Sequence, residues 1–301
     1  MGSNGKKNFR QKYTKFDVFN VIFMLLLCLV TLYPYINQLA MSLNEGNDAV
    51  FGGITFYPRK FTLDNYRVVF KNSSIKGAFV VTVGSVILGT ALSLVVTAAA
   101  GYAISRPKLP YRKQITFFLI IPTFISAGLI PGFMLYRELH LINNFLIYVI
   151  PGCFSFYNMV IIRSFIQGIP ESLVESAELD GANDVQTLFK IILPLCKPVL
   201  ATVCLWVAVG HWNNYTISLY YITKPKLYTI QFILMKLIKE SEVLQSIARE
   251  AAMDPTLAQV TPTPETVKAA TIIITTLPIV CLYPFLQKYF IQGVTIGAVK
   301  E

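Results

Sequence analysis

Long apolar runs alternate with short polar segments along most of the chain. A helix needs about 20 apolar residues to cross the hydrocarbon core of a bilayer. Runs of that length predict six transmembrane helices, at residues 18–42, 77–104, 114–136, 141–162, 198–222 and 267–288. Their interiors contain no Asp, Glu, Lys or Arg. The pattern predicts an all-α polytopic membrane protein that forms one transmembrane domain over residues 1–301.

Basic residues in the polar segments predict the orientation of these helices. Five Lys and Arg precede the first run, and residues 105–113 carry four more. Lys and Arg are enriched in short cytoplasmic segments, so we expect both termini in the cytoplasm. The extracytoplasmic segments are then 43–76 and 223–266, and the main cytoplasmic segment is 165–197. A cleaved signal peptide is the alternative for the N-terminus, but the first run is long enough to span and lacks a small-residue cleavage site.

Composition excludes several other classes of protein. Hydrophobic residues make up 54% of the chain and charged residues 14%, whereas soluble domains carry about 25% charged residues. The net charge of +10 comes from bases clustered at the ends of apolar runs. No basic patch is interleaved with aromatic residues, so we expect no nucleic acid partner. The five cysteines form no CxxC pair, and neither a metal site nor a disulfide framework is predicted.

The motifs of catalysis and nucleotide binding are absent from the sequence. There is no G-x-x-x-x-G-K-[ST], HExxH or G-x-S-x-G, so we expect no catalytic, cofactor-binding or metal-binding residues in this chain. The two histidines, His140 and His211, lie on separate segments. Carriers driven by protons or sodium ions need ionisable or oxygen ligands at membrane depth. If the protein transports a solute, its energy is expected to enter through another subunit.

One cytoplasmic stretch, ESAELDGANDVQTLFKIILP (175–194), is unusually acidic. Pro170 suits the first turn of a helix, and the following glutamates lie where a helix dipole favours acidic groups. Gly181 permits a chain reversal, and Asn183 or Asp184 is expected to cap a second helix. Helices that rest on lipid usually present Lys and Arg. The acidic face therefore favours a protein partner over the lipid surface.

The same stretch resembles a motif of the membrane subunits of bacterial ATP-binding cassette importers, E-A-A-x3-G-x9-I-x-L-P. Ser176 replaces the second residue of the motif, a substitution of one small residue for another. The matching residues, with the common D-G-A form around the glycine, are Glu175, Ser176, Ala177, Asp180, Gly181, Ala182, Ile191, Leu193 and Pro194. Further similarity to the carbohydrate-uptake permeases lies in FTLDNYRVVF (61–70), HWNNY (211–215) and GVTIGAVKE (293–301).

The resemblance implies a type I importer permease fold in the bacterial cytoplasmic membrane and a set of partner subunits. These are a second homologous permease, two ATPase subunits that bind ATP and Mg²⁺, and an extracytoplasmic solute-binding protein. The motif residues would dock into an ATPase, so residues 165–197 are named the coupling segment. The implied function is ATP-driven uptake of oligosaccharides or polysaccharide fragments. A permease for another solute, such as a peptide or amino acid, and an ATP-independent channel are the alternatives.

The fifth apolar run contains candidate residues for the substrate path. His211, Trp212, Asn213 and Tyr215 combine aromatic faces, which stack on sugar rings, with groups that hydrogen-bond to hydroxyls. Trp and Tyr also gather at membrane interfaces, so packing at the interface remains an equal interpretation for Trp212. Residues 223–266 are expected to meet the solute-binding protein; a plain extracellular lid is the alternative.

Overall fold

The structure, a computed structural model, describes residues 14–125, 127–250 and 263–298, and these residues form helices and connecting turns without strands. The chain divides into two compact units. Of the described residues, one unit comprises 14–67 and 263–273, and the other comprises 68–125, 127–250 and 274–298.

The first unit is built on a long apolar helix and a hydrogen-bonded loop. Helix α1 (Lys15–Ser42) begins with a capping box between Thr14 and Asp17, and most of its apolar side chains are exposed. A helix that is apolar on all sides suits a lipid environment. The loop then forms α2 (Gly46–Val50) and leads into α3 (Asp64–Lys71). Buried Asn65 closes the loop, since its Nδ2 donates to the carbonyls of Ser42 and Asn44, each at 2.9 Å.

The second unit is organised around α4 (Ser73–Ser105), a helix of 33 residues. Small residues line its buried face, which allows the backbones of neighbouring helices to approach closely. Helices α7 (Phe156–Ile166) and α11 (Lys197–Trp212) pack along α4. The other elements before the last helix are α5 (Arg112–Phe124), α6 (Leu129–Glu138), α8 (Glu171–Leu179), α9 (Asp184–Thr187), α10 (Leu193–Leu195), α12 (Thr216–Tyr221) and α13 (Ile230–Glu250). Helix α14 (Pro264–Ala298) has residues in both units.

Several predicted spans are interrupted rather than continuous. By length and composition, three described helices can cross a membrane, or up to five if each bent pair counts as one span. The three are α1, α4 and the first 19 residues of α14; the bent pairs are α5 with α6 and residues 184–195 with α11. Six spans with cytoplasmic termini therefore stay a prediction, and both chain ends lie outside the described residues.

The structure differs most from the predicted helix at 141–162. A 3-10 turn occupies Phe145–Tyr148, turns follow through Pro151 and Gly152, and only Phe156–Ile166 is α-helical. Proline cannot donate a backbone hydrogen bond to a continuing helix. Polar side chains also start new turns here, because the Asn144 and Ser155 side chains accept from the N–H groups of Leu146 and Asn158. Hydrophobicity alone did not reveal these breaks.

Candidate functional site

The coupling segment contains two short helices, as the sequence predicts. Helix α8 follows directly after Pro170, and α9 continues through a π-helical turn (Leu188–Ile192) into α10. The axis then bends by 86° between residues 184–195 and α11. The segment therefore leads directly into α11, one of the two helices that pack along α4.

Gly181 makes the joint between the two helices. Its φ of +81° lies in the left-handed region that favours glycine. The N–H of Ala182 donates to the Ala177 carbonyl at 2.9 Å, and the N–H of Gly181 donates to the Glu178 carbonyl at 3.1 Å. This is the Schellman arrangement, which satisfies the last carbonyls of a helix. The motif glycine is thus required by backbone geometry.

Asn183, rather than Asp184, caps the second helix. Its Oδ1 accepts from the N–H of Gln186 at 2.8 Å, and Gln186 Oε1 accepts from the N–H of Asn183 at 3.0 Å. These two bonds form a capping box. The sequence allowed either residue as the cap. Asp184 does not cap the helix, and its carboxylate accepts a hydrogen bond from Tyr102.

The coupling segment presents apolar side chains outward as well as inward. Its inward side chains belong to a buried cluster around Val174, Leu188 and Ile192. On the outside, Leu179 is 89% exposed, Val185 64% and Phe189 51%. A contiguous exposed apolar patch marks an interaction site, and Val185 and Phe189, four residues apart on one helical stretch, are placed to form part of one. A surface that combines exposed apolar side chains with acidic residues is better suited to contact with a protein than to exposure to water.

The predicted coupling residues fall on different sides of this segment. Glu175, Ser176, Asp180 and Gly181 are exposed, as is Pro194, whereas Ala182, Ile191 and Leu193 are half-buried. Ala177 is only 7% exposed, so it packs against the chain itself. In this structure the exposed motif residues are available to a partner, whereas Ala177 packs within the chain.

Charged residues that the motif pattern does not specify hold the segment in place. Glu178 accepts from Arg106 and from Lys108, the latter at 3.2 Å. The hydrogen bond from Lys108, with the positive charges of Lys108 and Arg106, lowers the pKa of Glu178 from its ordinary value. The only sequence signal for these contacts was opposite charge on two segments that were both predicted to be cytoplasmic.

The substrate-path candidates lie together at the end of α11 but differ in environment. Trp212 is 7% exposed, its Nε1 donates to the carbonyl of Thr275 at 3.0 Å, and its ring meets Phe79 edge-on at 5.9 Å. His211 is half-buried and lies close to Gly89. Asn213 and Tyr215 are exposed. Trp212 therefore has the contacts of a packing residue, and the two exposed residues are the ones accessible to a solute.

A buried hydroxyl network fixes the start of the predicted outer segment to the helices beneath it. Ser218 Oγ lies 2.7 Å from Tyr148 Oη and 3.0 Å from Thr229 Oγ1. The N–H of Ile230 donates to Thr82 Oγ1 on α4 at 2.9 Å. Buried polar groups are costly unless they are paired, so this network defines one position for residues 227–230. Sequence analysis did not identify it, since isolated Ser and Thr carry no spacing signal.

No group of three metal-ligating side chains occurs among the described residues. The expectation that the chain holds no cofactor stays a prediction.

Comparisons with known proteins agree with the motif. The family model for the binding-protein-dependent transport system inner membrane component matches residues 106–296. The polygalacturonan/rhamnogalacturonan transport system permease protein YtcP of Bacillus subtilis (strain 168) is 33% identical over 286 residues, which cover 95% of this chain and 98% of YtcP. Protein LplC of the same organism is 31% identical over 285 residues, which cover 95% of each chain.

A solved structure gives the same result at the level of the fold. One chain of a bacterial ABC transporter involved in the import of the acidic polysaccharide alginate superposes with a TM-score of 0.83 and 29% identity. The match covers 93% of this chain and 99% of that one. The type I importer permease fold implied by the motif is thereby confirmed. From the family model and these full-length similarities, we conclude that the chain belongs to the family of inner membrane components of binding-protein-dependent transport systems.

Proposed function

We propose that the chain is the permease subunit of an ATP-driven importer that carries oligosaccharides or polysaccharide fragments across the bacterial cytoplasmic membrane. Its similarity to YtcP and to the alginate importer supports the class of solute. The names of both proteins refer to the transport of acidic polysaccharides, so oligogalacturonides are the first substrates to test. The chain itself contains no P-loop, which supports the assignment of ATP and Mg²⁺ to two partner ATPase subunits.

The observation that carries this proposal is the outward face of the coupling segment. Leu179, Val185 and Phe189 expose apolar surface next to the acidic Glu175. Burial of apolar area stabilises a complex by roughly 25 cal/mol per Å² before the costs of association. A partner that covers these side chains and reaches Glu175 with a basic group would bind both features. We assign this face to the ATPase.

Transport then follows from coupled two-state behaviour. ATP binding closes the ATPase subunits, the coupling segment moves with them, and the membrane helices change between inward-open and outward-open packings. Since residues 184–195 continue into α11, displacement of the segment acts directly on the helix that carries the substrate-path candidates. A second, homologous permease would line the other side of the path.

On the outer side, we assign the region after residue 223 to contact with the solute-binding protein. The hydroxyl network around Ser218 holds residues 227–230 against α4 and α12. These hydrogen bonds would link a docking surface at this position firmly to the helices, which a loop without such bonds would not do. Within the path, we assign solute contact to the exposed Asn213 and Tyr215 and give His211 and Trp212 supporting roles.

Glu175→Lys and Gly181→Pro test the coupling role. The complex would be purified through a tag on this chain and reconstituted in proteoliposomes with its binding protein. We expect both variants to insert in the membrane, whereas uptake of labelled trigalacturonate per ATP hydrolysed falls at least tenfold. Glu171→Lys makes the same charge change on the same helix outside the motif, and is expected to stay within twofold of the native chain.

The outcomes separate the alternatives. Normal solute-stimulated hydrolysis and uptake in both variants would contradict the coupling role of the motif. Uptake of labelled peptide or amino acid, but of no sugar, would favour a permease for another solute. Solute flux without ATP, by a chain that brings down neither an ATPase nor a second permease, would favour a channel.

A further inference from the structure

Charged and polar contacts join the cytoplasmic end of α4 to both halves of the coupling segment. Arg106, the residue that follows α4, donates to Glu178 on α8, and Lys108 Nζ lies 3.2 Å from the other carboxylate oxygen. Tyr102 Oη, one turn earlier on α4, donates to Asp184 Oδ1 on α9 at 3.3 Å. The contacts therefore lie on both sides of the Gly181 joint.

The environment of Arg106 distinguishes it from an ordinary surface cation. Its side chain is only 16% exposed, and its guanidinium carbon lies 5.9 Å from the centroid of the Tyr102 ring. Isolated exposed ion pairs contribute little, but partly buried pairs that belong to a network contribute more. Pro107 and Pro110 restrict the backbone of the same loop. Arg106 and Lys108 are thereby held on a stiff connection, with one carboxylate between them.

Apolar packing does not completely fill this junction. Tyr102, Val174 and Ile192 belong to one buried cluster, yet a cavity of about 260 Å³ lies beside them, lined also by Arg106 and Glu171. Protein interiors are close-packed, so this open cavity leaves fewer apolar contacts between the segment and α4 than a filled junction would have. The polar contacts supply part of what fixes the position of the segment on α4.

We propose that Arg106 and Lys108, acting through Glu178, are positioning residues that make α4 move together with the coupling segment. The chain itself connects the segment only to α7 and α11. The charged contacts reinforce its packing against α4, so that all three packed helices respond to one displacement. This role rests on the proposed docking of the segment to an ATPase, and it concerns residues that the docking motif does not specify.

Charge reversal and charge exchange test the role. Glu178→Lys and Arg106→Glu each place like charges at the contact, whereas the double variant restores an attractive pair in the opposite sense. In the reconstituted complex, we expect each single variant to co-purify with its ATPase but to lose at least fivefold in trigalacturonate uptake per ATP hydrolysed. The double variant is expected to recover to within twofold of the native complex. Glu138→Lys, the same charge change at an exposed residue of α6 that has no ion pair among the described residues, serves as the control away from the junction.

A second measurement, amide hydrogen exchange, tests the contact independently of transport. Amide hydrogen exchange of residues 178–187 in the purified complex is expected to rise at least fivefold in each single variant and to return in the double variant. Single variants that behave like Glu138→Lys in both measurements would overturn the proposal, as would a double variant no better than the singles. A native complex without ATP-driven sugar uptake would contradict the proposed function instead, while the exchange measurement would still decide whether the charge pair holds the segment.

Discussion

At the residue scale, Gly181 and Gly89 are each required to be glycine, but for different physical reasons. Gly181 needs its positive φ, and a Cβ there would meet no heavy atom within 4 Å. Gly89 has ordinary helical geometry in α4, but a Cβ there would lie 2.5 Å from the imidazole of His211. The first glycine is a requirement of the backbone and the second is a requirement of packing between α4 and α11.

The Gly89 contact gives a prediction about helix packing. Gly89→Ala forces the His211 ring out of its position, and overpacking of this kind costs about 1–3 kcal/mol. We expect a lower midpoint of thermal unfolding in detergent, measured by intrinsic fluorescence. His211→Ala in the same chain removes the ring and is expected to restore most of the loss. If the double variant were no more stable than Gly89→Ala alone, the contact between these two residues would not be the cause.

The residues show what a sequence can reveal about such a site. The motif spacing identified the exposed Glu175 and the Gly181 joint because both lie within one continuous stretch. It placed Ala177 among the partner contacts, whereas the structure buries this residue. The contact between Arg106 and Glu178 joins positions 72 residues apart, so no local spacing in the sequence links the two residues. Long-range pairs of this kind depend on the fold and carry no local pattern.

At the scale of elements, hydrophobicity located the apolar segments but not their breaks. The run at 198–222 is divided after Trp212, where the Asn214 side chain accepts from the N–H of Ile217 at 3.1 Å and begins α12. The run at 141–162 is divided by Pro151, Gly152 and the Ser155 cap. Short polar side chains in such runs compete for backbone hydrogen bonds. The mean hydropathy of a run does not show this local effect.

Trp212 links three elements, and this gives a prediction that separates packing from solute binding. Its ring contacts Phe79 of α4, and its N–H donates to a carbonyl of α14. Trp212→Ala is expected to destabilise the protein by about 3–5 kcal/mol and to lower the yield of folded protein. The KM for trigalacturonate, measured on the folded fraction, is expected to stay within twofold.

Asn213→Ala is the matched variant on the exposed side of the same helix end. It is expected to leave the unfolding midpoint unchanged and to raise the KM severalfold. The reverse pattern, with KM raised by Trp212→Ala and unaffected by Asn213→Ala, would assign solute contact to the buried ring.

At the scale of the whole molecule, the path of the chain across the membrane depends on α11 and α12. Helix α11 has 16 residues, a length of about 24 Å at 1.5 Å per residue, whereas the hydrocarbon core is about 30 Å thick. Helix α12 adds six residues, or about 9 Å. Placed end to end, the two helices are long enough to cross the bilayer, and α11 alone is not. We therefore expect the predicted crossing to require both helices.

Labelling of introduced cysteines tests this crossing. In a chain whose five natural cysteines are replaced by serine or alanine, Val185→Cys lies before α11 and Lys226→Cys lies after α12, both at exposed positions. We expect a membrane-impermeant maleimide to label Lys226→Cys in intact cells and Val185→Cys only after the membrane is opened. Lys76→Cys, in the first turn of the 33-residue α4, and Lys113→Cys, in the first turn of α5, are the controls, with Lys76→Cys expected outside. If the controls label on opposite sides but Val185→Cys and Lys226→Cys label on the same side, α11 and α12 form a re-entrant pair. The outer segment would then share a side with the coupling segment and could not meet an extracytoplasmic protein.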